Sequence, residues 1–200
     1  MLRSASLLLT IILAMVSQDL IAATKSDSGQ GIRRSELAQL CLVRPSSNPA
    51  EHLAACDELL LTPGLSGDAR AFALMGRAEA LRRAGNAQGA IDAASQAIAL
   101  KQDFIRGYLV RAGAYMFQED WQSAIADVST AIDLDRGNAG AYAVRAEIYI
   151  RRNQLTFALG DMDQAVELAP DVAQFRLTRA TISFSLGHAD SALGDIRVAL

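Results

Sequence analysis

From residue 35 onward, apolar and small residues recur three and four places apart, and short polar breaks interrupt them. That spacing predicts helices throughout. The stretch ELAQLCLV makes a short helix, RPSSNPA ends it with two prolines, EHLAACDELLL makes a second, and TPGLSGD closes it. Residues 35–70 therefore read as a helical hairpin. Ahead of it, TKSDSGQGIRR at 24–34 is polar and contains Gly and Ser, the pattern of a flexible leader.

From residue 71 the pattern becomes periodic. Cut at 71, 105, 139 and 173, the chain aligns with itself without gaps, giving units 71–104, 105–138, 139–172 and an incomplete 173–200. The eighth column is Ala78, Ala112, Ala146 and Ala180, the twentieth Ala90, Ala124, Ala158 and Ala192, and the twenty-seventh Ala97, Ala131, Ala165 and Ala199. Each unit breaks in its middle, at GN 85–86, ED 119–120, RN 152–153 and GH 187–188, so each is two helices joined by a short turn. Small side chains at fixed columns let helix backbones approach to about 8 Å. One hairpin cannot bury its apolar faces alone, whereas a stack of three or more can.

A 34-residue helix–turn–helix with small residues at these columns resembles the tetratricopeptide repeat, over residues 71–200. The resemblance implies an all-α, right-handed solenoid. The hairpin at 35–70 fits only as a degenerate unit, the aromatic of position 11 survives as Tyr115 and Tyr149, and the closing proline survives only at Pro170. The resemblance also implies a concave groove lined by the first helix of each unit. At those positions stand Met75, Glu79, Arg82, Arg106, Leu109, Met116, Phe117, Glu147, Ile150 and Phe184, with Phe72 and Leu177 as candidates for packing between repeats. The Lys and Asn with which cytosolic co-chaperone members hold a C-terminal carboxylate are replaced by Met75, Glu79, Val110 and Gly140. The groove is instead apolar and adaptable, suited to a peptide or partner helix with apolar anchors.

An Arg-Ala pair recurs with the same period, at Arg77, Arg111, Arg145 and Arg179. Sixteen residues after the last three come Asp127, Asp161 and Asp195, while the first unit has Asp92 one place early. An acidic partner beside most of the arginines favours a repeated ion pair on the outside of the stack, about 0–1 kcal/mol each, over a cationic ladder for acidic ligands.

Charge and composition narrow the function. The formal net charge is −3, which implies no basic face for nucleic acid. Arg3, an apolar run from Ala5 to Val16, and small residues at Ala22 and Ala23 have the three-part pattern of a signal peptide over 1–23. The run is too short to span a bilayer, so export without membrane insertion, to the periplasm or beyond, is expected. In an oxidising compartment the two cysteines, Cys41 and Cys56, favour a disulfide over free buried thiols. His52 stands near them, but a single histidine completes no tetrahedral metal site. No phosphate loop, nucleophile elbow or paired-histidine motif is present, so neither a catalytic residue nor a cofactor is expected, and a cell-wall hydrolase would lack its constellation. The expected role is a scaffold or assembly factor. The other is a structural module, or the first part of a longer protein, that self-associates through an uncapped C-terminal end.

Overall fold

In a computed structural model, residues 28–43 and 45–199 are described, with side chains from Arg33 on. The expected signal peptide, 1–23, lies outside them. The described residues form ten α-helices and a π-helical turn: α1 Ser28–Ala38, the turn Gln39–Val43, α2 Pro49–Leu61, α3 Gly67–Arg83, α4 Ala87–Leu100, α5 Ile105–Phe117, α6 Trp121–Leu134, α7 Ala139–Arg151, α8 Leu155–Leu168, α9 Ala173–Ser185 and α10 Ala189–Ala199. No helix among them is long and apolar enough to cross a membrane.

The chain divides into two compact units, one ending at Phe104 and one starting at Ile105. In the first, α2 packs on α1 and α3, and α3 pairs with α4. In the second, α5–α6, α7–α8 and α9–α10 are antiparallel hairpins, and α6 packs on α7 and α8 on α9. The first helices of these hairpins start at Ile105, Ala139 and Ala173, thirty-four residues apart.

The alanine columns are the physical basis of the stack. Ala78, Ala112, Ala146, Ala90, Ala124, Ala158, Ala97, Ala131 and Ala165 are fully buried. Larger residues fill the space around them: Val128, Ile132 and Ile148 in one cluster, and Met162 and Ile182 in the next. The turn inside each hairpin also repeats. Gly85, Glu119, Asn153 and Gly187 all have positive φ, at 78°, 59°, 56° and 84°. The backbone there is left-handed in every unit, and in two of them a residue with a Cβ is held in it. Asn86 and Asp120, one residue further on, cap the second helices by accepting from Gly89 N and Ser123 N.

The expected flexible leader at 24–34 is corrected from Ser28 on, where α1 begins. Tertiary contacts override its Gly/Ser composition. Arg33 forms an ion pair with Glu58 on α2, and Arg34 is buried and donates from Nη2 to the Gly64 carbonyl at 3.2 Å.

Candidate functional site

Cys41 and Cys56 form a disulfide, with their Cα atoms 4.9 Å apart. Cys41 lies on the π-helical turn and Cys56 on α2, one helical turn beyond His52. All three residues are buried, and Leu59 and Ala73 pack around the bridge. Gly76 on α3 presses on it. A Cβ there would fall 2.7 Å from Cys41 Sγ, 2.8 Å from the Cys41 carbonyl oxygen and 2.9 Å from Cys56 Sγ. With both sulfurs committed to each other, no thiolate is available to a metal in this state.

The repeated arginines form a second constellation. Arg111 donates from Nε and Nη2 to Asp127 at 2.8 and 2.7 Å, and Arg145 to Asp161 at the same distances. Arg179 grips Asp195 in the same way, at 2.7 and 2.6 Å. These hydrogen bonds hold each guanidinium above its ordinary pKa, outweighing the burial that opposes it. The expectation of weak pairs on the outside of the stack needs correction. Each aspartate is only 6% exposed, and bidentate charge-assisted pairs at such sites contribute about 2 kcal/mol rather than a few tenths. The same arginines also reach back one hairpin: Arg145 Nη1 donates to Ser129 Oγ at 3.3 Å, and Arg179 Nη1 to Asp163 at 2.9 Å. Tyr108 and Tyr142 lie under the guanidinium groups of Arg111 and Arg145, at 5.7 and 5.8 Å. The arginine column is a rivet between successive hairpins.

In the first unit the partner differs from the sequence expectation. Arg77 donates to Asp57 on α2 at 2.6 Å, whereas Asp92 accepts from Gln88 on its own helix. Position 23 of that repeat is Ala93, fully buried, so no carboxylate stands opposite Arg77 within its own hairpin.

The groove residues are distributed unevenly. In the first unit Met75 is 2% exposed, so it is core rather than groove. Glu79 and Arg82 pair with each other at 2.7 Å. In the second unit Arg106 is exposed, Leu109 and Met116 pack half-buried against the core, and Phe117 is 66% exposed. Glu147 pairs with Arg151 along α7 at 2.9 Å, and Phe184 is 71% exposed on α9. Trp121 packs against the core around Val128.

A cavity of about 300 Å³ opens on this unit. Ile150 of α7, Leu155 of α8, and Leu177, Thr178, Thr181 and Ile182 of α9 are among the residues that line it. Leu177, expected to pack between repeats, is 38% exposed and forms part of the cavity wall. Thr178, Thr181 and Ser185 each donate their hydroxyl proton to the carbonyl four residues back, which leaves oxygen lone pairs as their remaining hydrogen-bonding capacity. Leu155 and Thr178 stand outside the groove columns that the repeat implies. Leu155 opens a second helix, and Thr178 stands in a column that holds Val110 and Val144 in the preceding units.

No protein-family model and no curated protein matches the chain. Solved structures do. MamA residues 41–end from Desulfovibrio magneticus RS-1 superposes with a TM-score of 0.67 at 18% identity, covering 83% of this chain and 90% of that one. TTC0263, a thermophilic TPR protein of Thermus thermophilus, gives 0.65 at 20% identity over 84% and 88%. The first TPR domain of Spaghetti (RPAP3), bound to the HSP90 peptide SRMEEVD, gives 0.56 at 22% identity over 60% and 95%. At such identities the likeness is one of fold. The chain is an all-α solenoid of helix–turn–helix repeats with the tetratricopeptide fold.

Proposed function

We propose that the protein is an exported scaffold or assembly factor that binds a peptide or partner helix, and that in the unit from Ile105 on the anchor is an apolar side chain in the cavity between α7 and α9. The carrying observation is that cavity: Ile150, Leu155, Leu177 and Ile182 make it apolar, and hydroxyl oxygens of α9 line it as hydrogen-bond acceptors. Exposed Phe117 and Phe184, on first helices of the same unit, offer further apolar surface. Such walls suit an apolar anchor with backbone N–H groups beside it. The RPAP3 neighbour holds an acidic peptide; here Arg82 and Arg151 already pair with Glu79 and Glu147, which favours apolar anchors over carboxylates. The disulfide supports an oxidising compartment such as the periplasm.

The test is selection of a displayed peptide library on the full chain. Enriched peptides are expected to share an aliphatic or aromatic anchor and to lose at least tenfold in affinity for Leu177→Glu, a half-exposed substitution checked for unchanged helicity. Equal binding by the variant, or no enrichment, sinks the reading. A second reading, self-association, rests on Leu193, Ile196 and Val198 of α10, which are exposed apolar residues. A concentration-independent monomer by mass measurement would remove it.

A further inference from the structure

The disulfide cluster contains more than a covalent staple needs. His52 is buried at 2% exposure, in a helix where an apolar side chain of similar size would avoid the polar cost. Its two ring nitrogens have different surroundings. Nε2 lies 3.0 Å from the Cys41 carbonyl oxygen, an acceptor only, so Nε2 carries the proton and donates it. Nδ1 is then the lone-pair nitrogen, and it is buried without a hydrogen-bond partner. A histidine whose one nitrogen donates to a backbone carbonyl, leaving the other as a bare donor atom, has the tautomer of a metal ligand. The sulfurs of Cys41 and Cys56 and a ring nitrogen of His52 all lie within 4.8 Å of one another.

We propose that reduction of the Cys41–Cys56 bond converts this cluster into a three-donor site, Cys2His, for a thiophilic divalent ion of the zinc class. The reductant is a dithiol. It delivers two electrons and two protons to the S–S bond, releasing two protein thiols and leaving as its own disulfide. The ion then displaces both thiol protons to solvent and binds two thiolates and the neutral imidazole. Two thiolates balance the dication, so the complex adds no net charge to a site lined by Ala38, Leu59 and Ala73. Gly76 belongs to the same device, since any side chain there would occupy the space against both sulfurs. Oxidised, the cluster is a staple; reduced, it is held together by the ion.

The experiment uses the full chain, reduced with dithiothreitol, desalted without oxygen, shown by thiol assay to carry two free thiols, and titrated with cobalt(II) as the probe. One equivalent is expected to bind with a sulfur-to-cobalt charge-transfer band that zinc abolishes, while the oxidised chain gives no band. Cys41→Ser is expected to abolish the band, and reduced His52→Ala to bind cobalt at least tenfold more weakly. Should His52→Ala lose helicity, His52→Gln replaces it, and the oxidised–reduced comparison of the wild type stands without either. The proposal is overturned by a reduced chain with no charge-transfer band, by a folded His52 variant that binds as tightly as wild type, or by a bridge that cannot be reduced without unfolding.

Discussion

In the unit ending at Phe104, Arg77 makes one contact with Asp57, and the two side chains are 32% and 45% exposed. In the unit from Ile105 on, every arginine of the same column grips a nearly buried aspartate with two hydrogen bonds. The regular unit thus carries its register in a repeated polar rivet. The first unit lacks the rivet, because Ala93 occupies the aspartate's column, and is closed instead by a disulfide. A bridge across a loop of this length contributes about 3 kcal/mol by restricting the unfolded chain. A periodic architecture tolerates an irregular repeat when another interaction secures it.

The most severe way to break this arrangement is at Gly76. Gly76→Ala places a methyl within 2.9 Å of both sulfurs, in backbone and bridge that cannot step aside, and is expected to cost about 3 kcal/mol. Gly160→Ala on α8 is the control. A Cβ there meets nothing within 4 Å, and the change is expected to stabilise by about 0.5–1 kcal/mol. Urea midpoints of the two variants should move in opposite directions; a neutral Gly76→Ala would show that the bridge is not tightly packed.

Next comes the rivet. Asp161→Asn leaves Arg145 half-buried without its carboxylate and is expected to cost about 2 kcal/mol, whereas Asp57→Asn, at the exposed pair of the first unit, should cost under about 1 kcal/mol. Equal losses in denaturant unfolding would erase the distinction between the units. The raised arginine pKa values give these pairs a definite pH behaviour. Their stability is fully present below the ordinary arginine value and is lost only as pH rises through the higher folded value, so they are constant across neutral pH.

The same contrast explains what was legible in the sequence. The hairpins of the second unit were readable because small residues recur at fixed columns, and a buried alanine says the same thing in each repeat. Met75 shows that a column's position does not fix its exposure, because in the first unit that position is buried. Asp57 escaped notice as the partner of Arg77 because it comes from the preceding irregular hairpin, twenty residues back, where no period points. The burial of Asp127, Asp161 and Asp195 was invisible for another reason: spacing shows that two residues can meet, not how much water they exclude. The cavity needed Leu155, a second-helix residue that no first-helix column contains.

The smallest expected effect lies at the turn that both units share. Asp120, fully exposed, caps α6, and hydrogen bonds from the Ser123 hydroxyl and amide hold its carboxyl below the ordinary value of 3.8. Its counterpart in the first unit is Asn86, which caps α4 with the same geometry and no charge. A depressed carboxylate contributes stability that is present above the unfolded value and is lost as pH falls through the lower folded one. Asn at this position keeps the acceptor oxygen but does not titrate. Asp120→Asn is therefore expected to be slightly less stable than wild type at pH 7, where the carboxylate also favours the helix N-terminus. The difference should shrink as pH falls below about 3.8, because only wild type loses its charge there. Thermal unfolding of both chains from pH 7 to pH 2.5 measures it. A gap that stays constant would mean that the cap acts through its oxygen alone, as Asn86 does, and that charge adds nothing to the turn.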